Sequence, residues 1–324
     1  MKMTFGVVLY CNQPPDVLVE RVRLVEDLGF RYFWLSDLAH QERDTFAYLA
    51  LAAVNSTRLG LGPCILHPYT RHFAVALNGM VTIDEISHGR AVFGVGIGGG
   101  IVGELGFKPA TVAVMRELML LSRRLMKGEK VDSEMAPLQM KGAYLRLRPK
   151  KMLPIYVAAT GPKMLELTGE LADGVFVHVG VAGPTLQFAL NACQAGAARR
   201  LPELPPLDIT PFVYTSMAKD RSEAFADCRR GAGLVVKRFP QYAELVGCGP
   251  EELAALRRGG SDAEAVLTDR VVDQFSLSGT LEDCLRKIQQ MGELGVTHLT
   301  LIPAAKDPRS LIETFGREVL PRFA

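Results

Sequence analysis

A short turn between two predicted elements has residue types and spacing that fit the binding of an anion. The apolar run Ile155–Ala159 predicts a buried strand, and Gly161-Pro162 ends it where a helix begins. A helix N-terminus directs free backbone N–H groups and the positive end of its dipole toward one point. The turn is therefore a candidate phosphate cradle, although any strand-to-helix turn can carry a glycine. It consists of Thr160, Gly161, Pro162, Lys163 and Met164.

A second glycine-rich stretch, residues 94–99, satisfies the G-x-G-x-x-G pattern of dinucleotide-binding proteins. That pattern requires a helix that opens directly on the third glycine and an acidic residue that closes the following strand. Residues 101–109 are loop-like and Glu117 lies in mid-helix, so we expect no dinucleotide fold here. Glycines at the end of a strand instead allow a flat ligand to approach the backbone, which makes Gly96 and Gly98 candidate binding residues.

The elements that position these stretches alternate between strand and helix, which is typical of a parallel sheet. Eight strands are predicted, at 4–10, 30–35, 59–66, 91–95, 155–159, 175–179, 209–218 and 296–302. Eight such units fit an α/β TIM (β/α)8 barrel, as one domain over residues 1–324, better than an open doubly wound sheet. Two insertions are expected, a β-hairpin at 131–147 after the fourth strand and its helix, and a helical insertion at about 220–274 after the seventh strand.

A barrel of this type carries its functional residues at the C-terminal ends of the strands. The sequence puts Asp37, His40, 64–69, 96–104, 160–163 and His178 at these positions. Each histidine, considered singly, is more often structural than catalytic, and no HxH pattern follows the first strand. We therefore expect no metal site.

The composition limits the possible partners. Lys and Arg number 37 against 35 Asp and Glu, a net charge of +2 that gives no reason to expect nucleic acid or an anionic membrane. Six cysteines are widely spaced without a CxxC pattern, as expected of reduced thiols in the cytoplasm. No apolar run approaches the roughly 20 residues that a membrane span needs. We expect a cytoplasmic protein that acts on a small molecule.

Four segments resemble the bacterial-luciferase-like superfamily. They are LGLGPCILHPYTRH (59–72), TIDEISHGRAVFGVGIG (82–98), PIYVAATGPKMLELTGELADG (154–174) and FSLSGTLEDCLRKI (275–288). Within the superfamily, the chain is most similar to the branch that uses the deazaflavin coenzyme F420, and there to the methylenetetrahydromethanopterin reductases. Together with the opening FGVVLY, these segments span nearly the whole chain.

The resemblance implies a role for each matching residue. In that superfamily a bulge after the third strand carries a non-prolyl cis peptide behind the central ring of the flavin or deazaflavin, and the matching bond here is Cys64–Ile65. The stretch AATGPK matches the family's phosphate turn, which adds Ala159 to the candidate cradle. Asp37 falls where the family often has an acidic residue near the deazaflavin, and His178 lies at a strand end of the same mouth.

The sequence departs from the family pattern in two places. Asp37 is followed by Leu38 where the family has histidine, so that His40 is the nearest imidazole. Val8 and Gln13 fall where the methanopterin reductases tend to carry glutamates. Because an aliphatic side chain cannot exchange a proton with a substrate nitrogen, the pterin substrate does not follow from the resemblance.

The resemblance implies an F420-dependent oxidoreductase that transfers a hydride between the deazaflavin and a small organic or pterin-like substrate. His40 and Glu104 are the candidate proton donors or acceptors, and a homodimer or higher homo-oligomer is the expected assembly. One alternative is an FMN-dependent luciferase-like monooxygenase on the same scaffold. Another is a non-catalytic flavin-binding protein, because the sequence offers no convincing pair of acid and base at the mouth.

Overall fold

Eight parallel strands form a nearly closed barrel in the computed structural model, which describes residues 2–323. The strands of the described part are β1 (Thr4–Leu9), β2 (Tyr32–Leu35), β3 (Gly60–Pro63), β4 (Phe93–Val95), β5 (Val131–Ser133), β6 (Met140–Ala143), β7 (Ile155–Ala159), β8 (Gly174–Val177), β9 (Asp208–Met217), β10 (Leu277–Gly279) and β11 (His298–Pro303). The order around the barrel is β3-β2-β1-β11-β9-β8-β7-β4. Parallel bridges from Leu61 to Ala91 and from Leu66 to Val95 bring β3 beside β4 and complete the ring. The predicted TIM-barrel fold class is confirmed.

The helices lie between the strands and in the second insertion. In chain order they are α1 (Pro15–Asp27), α2 (Thr45–Val54), α3 (Phe73–Ile86), α4 (Gly100–Glu104), α5 (Val112–Met126), α6 (Pro162–Leu171), α7 (Gly183–Ala197), α8 (Arg221–Arg238), α9 (Pro240–Leu245), α10 (Pro250–Arg258), α11 (Gly260–Val266), α12 (Asp269–Phe275), α13 (Leu281–Glu293) and α14 (Pro308–Thr314). Within residues 2–323, none of them combines the length and apolar character needed to cross a membrane.

Local sequence explains where these helices begin. Thr280 caps α13, because its hydroxyl accepts from the backbone N–H of Asp283 while the Asp283 carboxylate accepts from the N–H of Thr280. Cys284, Ile288 and Met291 are buried at helical spacing, so one face of α13 packs on the barrel. A polar cap at the start and an apolar stripe toward the sheet thus fix the position of α13.

Large aromatic side chains fill the interior of the barrel. Trp34 is fully buried; its ring stacks on Tyr32 at 5.0 Å between centroids and meets Phe176 edge-on at 4.9 Å. A Cβ added at Gly62 would lie 2.9 Å from Cζ3 of Trp34, so the missing side chain makes room for the indole. The middle of the barrel is therefore a packed core, and a ligand must bind at the open ends of the strands.

Both predicted insertions are present, with some differences in detail. Strands β5 and β6 pair antiparallel as the expected hairpin, and helices α8 to α12 form the second insertion. The five helices occupy the span predicted as helical, whereas β10, whose three residues pair with the end of β9, was not predicted. It was also wrong to treat 101–109 as loop throughout, because α4 begins at Gly100. The last helix, α14, runs from Pro308 to Thr314 and continues as a π-helix over Phe315–Val319.

Candidate functional site

The chain forms a bulge directly after β3, and the peptide bond between Cys64 and Ile65 in this bulge is cis. This is the geometry that the family resemblance implied. The backbone N–H of Gly96 donates to the carbonyl of Leu66 at 2.9 Å, which ties the bulge to the chain that leaves β4. A Cβ added at Gly96 would lie 2.2 Å from Cδ1 of Ile65. Gly96 therefore supports the bulge by lacking a side chain.

Two further residues near the bulge differ in what they offer a ligand. Burial of the Cys64 thiol raises its pKa, so Sγ remains a neutral, weakly polar group. Gly98 has a φ of 77°, in the left-handed region that favours glycine, and a Cβ there would lie 2.6 Å from Val102. Backbone conformation and packing already explain Gly98, and its role in binding stays a prediction.

The candidate phosphate cradle joins β7 to α6. Gly161 has extended dihedral angles and caps α6, which begins at Pro162. A Cβ added at Gly161 would meet nothing within 4 Å, so the turn faces open space. The hydroxyl of Tyr242, from α9, donates to the carbonyl of Thr160 and holds the turn from the side of the insertion. The turn is thus open toward one side and fixed on the other.

The side chains of the cradle point in different directions. Ala159 and Met164 are buried in the core, so each can offer only its backbone to a ligand. Lys163 is exposed in the first turn of α6, where it adds a positive charge to the positive end of the helix dipole. This arrangement suits a phosphate bound by backbone N–H groups and one lysine.

Asp37 lies buried after β2 and forms an ion pair that the sequence analysis missed. It accepts from Nη1 of Arg71 at 3.1 Å and from the Thr45 hydroxyl at 3.0 Å. Burial opposes the charge of Arg71, but the carboxylates of Asp37 and Asp44 outweigh it and raise the pKa of that guanidinium. Asp37 is therefore neutralised by a partner 34 residues away, and a contact with the deazaflavin ring stays a prediction.

Two histidines at the mouth have buried ring nitrogens without hydrogen-bond partners among residues 2–323. Both nitrogens of His67, just after the bulge, and Nε2 of His178, after β8, are in this state. Burial lowers the pKa of both rings, for His178 to about 4 with a further contribution from Arg238. Both are therefore neutral at physiological pH, so each has one N–H to donate and one nitrogen to accept.

The two candidate catalytic residues are brought together. Nε2 of His40 lies 3.2 Å from Oε2 of Glu104 at the end of α4, and Nε2 of Gln41 donates to the same oxygen at 2.7 Å. The His40 and Glu104 side chains are 44% and 53% exposed, so water competes for both. Their part in proton exchange stays a prediction.

The sequence analysis missed several polar residues at the mouth. Tyr10 directly follows β1, and its phenol is close enough to that of Tyr214 in β9 for each to affect the pKa of the other. Burial, together with the nearby carboxylate of Glu42, raises the pKa of Tyr10. Glu42 itself accepts from the hydroxyl of Ser36. The position of Tyr10 at a strand end was the signal that could have identified it.

These features fit a flat polar ligand. A buried polar atom that lacks a partner costs about 1–3 kcal/mol, and His67 and His178 contribute three such atoms to one end of the barrel. The N–H and C=O groups on the edge of a flavin or deazaflavin would satisfy them. The bulge offers a backing for the ring and the turn at Gly161 offers an open seat for a phosphate. The residues present therefore fit a phosphate-bearing cofactor of this class.

The model of the luciferase-like monooxygenase family matches residues 3–298. The chain belongs to this family. Its relatives include the 5,10-methylenetetrahydromethanopterin reductase of Archaeoglobus fulgidus, which is 30% identical over 99% of this chain and 100% of that protein. The F420-dependent glucose-6-phosphate dehydrogenase of Beutenbergia cavernae is 29% identical over 96% and 94%.

A solved structure superimposes on this luciferase-like chain over its full length. The coenzyme F420 dependent tetrahydromethanopterin reductase from Methanopyrus kandleri superimposes with a TM-score of 0.86 at 27% identity, over 100% of both chains. The luciferase-like family and its barrel, which the sequence motifs predicted, are thereby confirmed.

Proposed function

We propose that this luciferase-like protein is an F420-dependent oxidoreductase that transfers a hydride between the deazaflavin and a small organic substrate. The observation that carries the proposal is the bulge after β3, packed against Gly96, at the mouth of a barrel shared with F420-dependent relatives. When bound, F420 supplies the hydride chemistry, and the protein supplies binding, orientation and a dry site.

The chain's own residues divide this work between them. The bulge backs the ring, and the backbone of residues 160–164 with Lys163 holds the phosphate. The neutral rings of His67 and His178, whose buried nitrogens lack partners in the described protein, would hydrogen-bond to a bound ring system. Proton exchange with the substrate falls to the His40–Glu104 pair, or to Tyr10 beside Glu42. Each of these groups is at the same end of the barrel, as the reaction requires.

The substrate is the least constrained part of the proposal. Val8 is buried inside the barrel, and Gln13 is exposed and donates to Asn12 at 3.2 Å. Neither can supply the carboxylate expected of a methanopterin reductase at these positions. We therefore propose a small organic substrate, and the pterin of the reductase relatives is the first compound to test.

Titration of the purified protein with F420 and with FMN tests the cofactor. We expect F420 fluorescence to be quenched with saturation and FMN to bind more weakly. Tight FMN binding without F420 binding would instead favour the flavin-dependent monooxygenase chemistry in the family's name. Steady oxidation of reduced F420 in the presence of methylenetetrahydromethanopterin or another acceptor would exclude a purely storage role.

We further propose that the protein is a single-domain cytoplasmic homodimer that associates through barrel helices. Val54 on α2 and Val75 on α3 are 67% and 64% exposed, and the two helices are neighbours. Six free cysteines agree with a reducing compartment. Light scattering coupled to size-exclusion chromatography measures the assembly, and Val54→Glu with Val75→Glu is expected to yield monomers.

A further inference from the structure

A basic segment leads from β6 to the start of β7 at the base of the barrel, the end opposite the mouth. Residues 141–152 contain five Lys or Arg residues and no Asp or Glu. They carry a charge of +5, and because the whole chain carries only +2, all other residues together carry −3. The small net charge of the chain therefore conceals a local concentration of positive charge.

The basic side chains of this segment are exposed and are not neutralised by the protein. They are Lys141, Arg146, Arg148, Lys150 and Lys151. Within residues 2–323, none of the five forms an ion pair, and neither does Lys127 at the end of α5. The nearby carboxylate of Glu129 is already paired with Nε of Arg124 at 2.8 Å. The positive charges of the segment are therefore available to a partner.

One arginine of the segment is fixed against the end of α5. A Cβ added at Gly128 would lie 2.6 Å from Cδ of Arg148, so the arginine packs directly on a residue without a side chain. Nη1 of Arg148 donates to the carbonyl of Lys127 at 3.3 Å. The segment is therefore held at a defined place on the surface.

A groove of about 550 Å³, here called the basal groove, brings basic and apolar side chains to one surface. Leu147 and Met152, which line it, are 66% and 38% exposed. No Asp or Glu is among the described residues of its lining. The surface thus combines four unpaired positive charges with two exposed apolar side chains. The four charges belong to Lys127, Arg146, Arg148 and Lys150.

We propose that the basal groove binds the anionic phospholipid surface of a membrane. Lipid phosphates attract Lys and Arg, and exposed apolar side chains enter the boundary between headgroups and acyl chains. Leu147 lies at a bend of the chain with an arginine on either side, so it is placed to insert. A bilayer is favoured over an acidic protein or a nucleic acid, because it offers phosphates and an apolar layer together. The mouth faces away from this membrane, which leaves it open to small molecules.

Sedimentation of the purified chain with phospholipid vesicles tests this proposal. One set of vesicles is phosphatidylcholine alone, and the other contains one third phosphatidylglycerol. We expect binding to the anionic vesicles only, and its loss at high salt. The double variant Arg146→Gln with Lys150→Gln should weaken binding at least about tenfold, since each basic residue contributes about fivefold at an anionic surface. Leu147→Ala should weaken it at least about threefold, because less apolar surface enters the bilayer.

Two control variants make the same chemical changes elsewhere. Lys219→Gln with Lys306→Gln removes two exposed charges after β9 and β11, at the mouth. Leu234→Ala shortens a leucine that is 54% exposed on α8. We expect both controls to bind anionic vesicles as wild type does, and thermal unfolding to show that every variant is folded.

Three results would overturn the proposal. The first is that wild type does not bind anionic vesicles at low salt, or binds both kinds of vesicle equally. The second is an equal loss of binding in the two double variants, which would make the attraction a property of the total charge. The third is wild-type binding by Leu147→Ala, which would leave a purely electrostatic surface that suits an acidic macromolecule instead.

Discussion

At the scale of single residues, the bulge after β3 packs against Gly96, which has no side chain. Gly96→Ala puts a methyl group 2.2 Å from Cδ1 of Ile65, so the Ile65 side chain in the bulge must shift. We expect the dissociation constant for F420 to rise at least about fivefold and the free energy of unfolding to fall by about 1–2 kcal/mol. Fluorescence titration and urea denaturation measure the two effects.

Gly100→Ala is the matched control for this substitution. Gly100 opens α4 in the same loop, and a Cβ there would meet nothing within 4 Å. We expect it to leave F420 affinity unchanged. If both alanine variants weaken F420 binding equally, the cause is the lost flexibility of the glycine-rich loop. Support of the bulge by Gly96 would then not explain the effect.

His178 makes stability depend on pH. Its pKa of about 4 in the folded state is below the 6.5 of an exposed histidine, because burial disfavours the charged ring. Between pH 6.5 and 4 the unfolded chain binds a proton that the folded protein does not, so stability falls as pH falls through this window. Between pH 7.5 and pH 5, we expect the free energy of unfolding of His178→Gln to fall by about 2 kcal/mol less than that of wild type. Urea denaturation at the two pH values measures the difference. Identical pH slopes would mean that the ring titrates in the folded protein with the same pKa as in the unfolded chain.

At the scale of elements, α9 holds the phosphate turn. The ring of Tyr242 is fully buried beside Phe188, so Tyr242→Phe keeps the packing and removes only the hydroxyl that reaches the Thr160 carbonyl. We expect F420 to bind about five- to tenfold more weakly, because the turn loses its fixed position. The deazaflavin riboside without the phosphate tail should bind as it does to wild type.

Tyr48→Phe is the comparison for Tyr242→Phe. The Tyr48 hydroxyl donates to the carbonyl of Gln13 at 2.7 Å, so the same kind of bond is lost at another buried tyrosine. If Tyr48→Phe weakens F420 binding as much and leaves the affinity for the riboside unchanged, the effect of Tyr242→Phe does not arise from the phosphate turn.

The distance along the chain between contacting residues explains how much of the fold could be predicted from the sequence. The unit β7–α6–β8 was predicted almost to the residue, because apolar periodicity and the Gly-Pro break are local signals. The cis bond at Cys64–Ile65 followed from the family motif. Strand β10 was missed because its three residues are a strand only through pairing with β9, about 60 positions away in the chain.

The site shows the same limit at its polar residues. The sequence put Asp37 at the mouth, but its ion pair with Arg71 spans 34 positions and no spacing rule predicts it. The contact of Gly231 in α8 with the ring of Tyr214 exists only because the insertion packs against β9. The strand ends were therefore predictable, whereas the groups that reach them from helices and loops were not.

At the scale of the whole molecule, three strands are joined at the end of the barrel opposite the mouth. Oδ2 of Asp208, at the start of β9, accepts from the Tyr156 hydroxyl of β7 at 2.5 Å and pairs with Nδ1 of His298 in β11 at 3.0 Å. Burial alone would raise the pKa of Asp208, but the bonds from His298 and Tyr156 outweigh it and lower that pKa. Asp208 thus stabilises the folded state in its charged form.

Asp208→Asn tests this role separately from the active site. Because the folded-state pKa is depressed, the contribution of Asp208 is fully present above its unfolded value near 3.9 and is lost as pH falls through the folded value. We expect the variant to lower the free energy of unfolding by about 1–3 kcal/mol at pH 7. The difference from wild type should shrink below pH 4, with F420 affinity unchanged. Asp27→Asn, at an exposed aspartate, should change neither quantity. A loss of F420 affinity in Asp208→Asn would mean that the base and the mouth of the barrel are coupled.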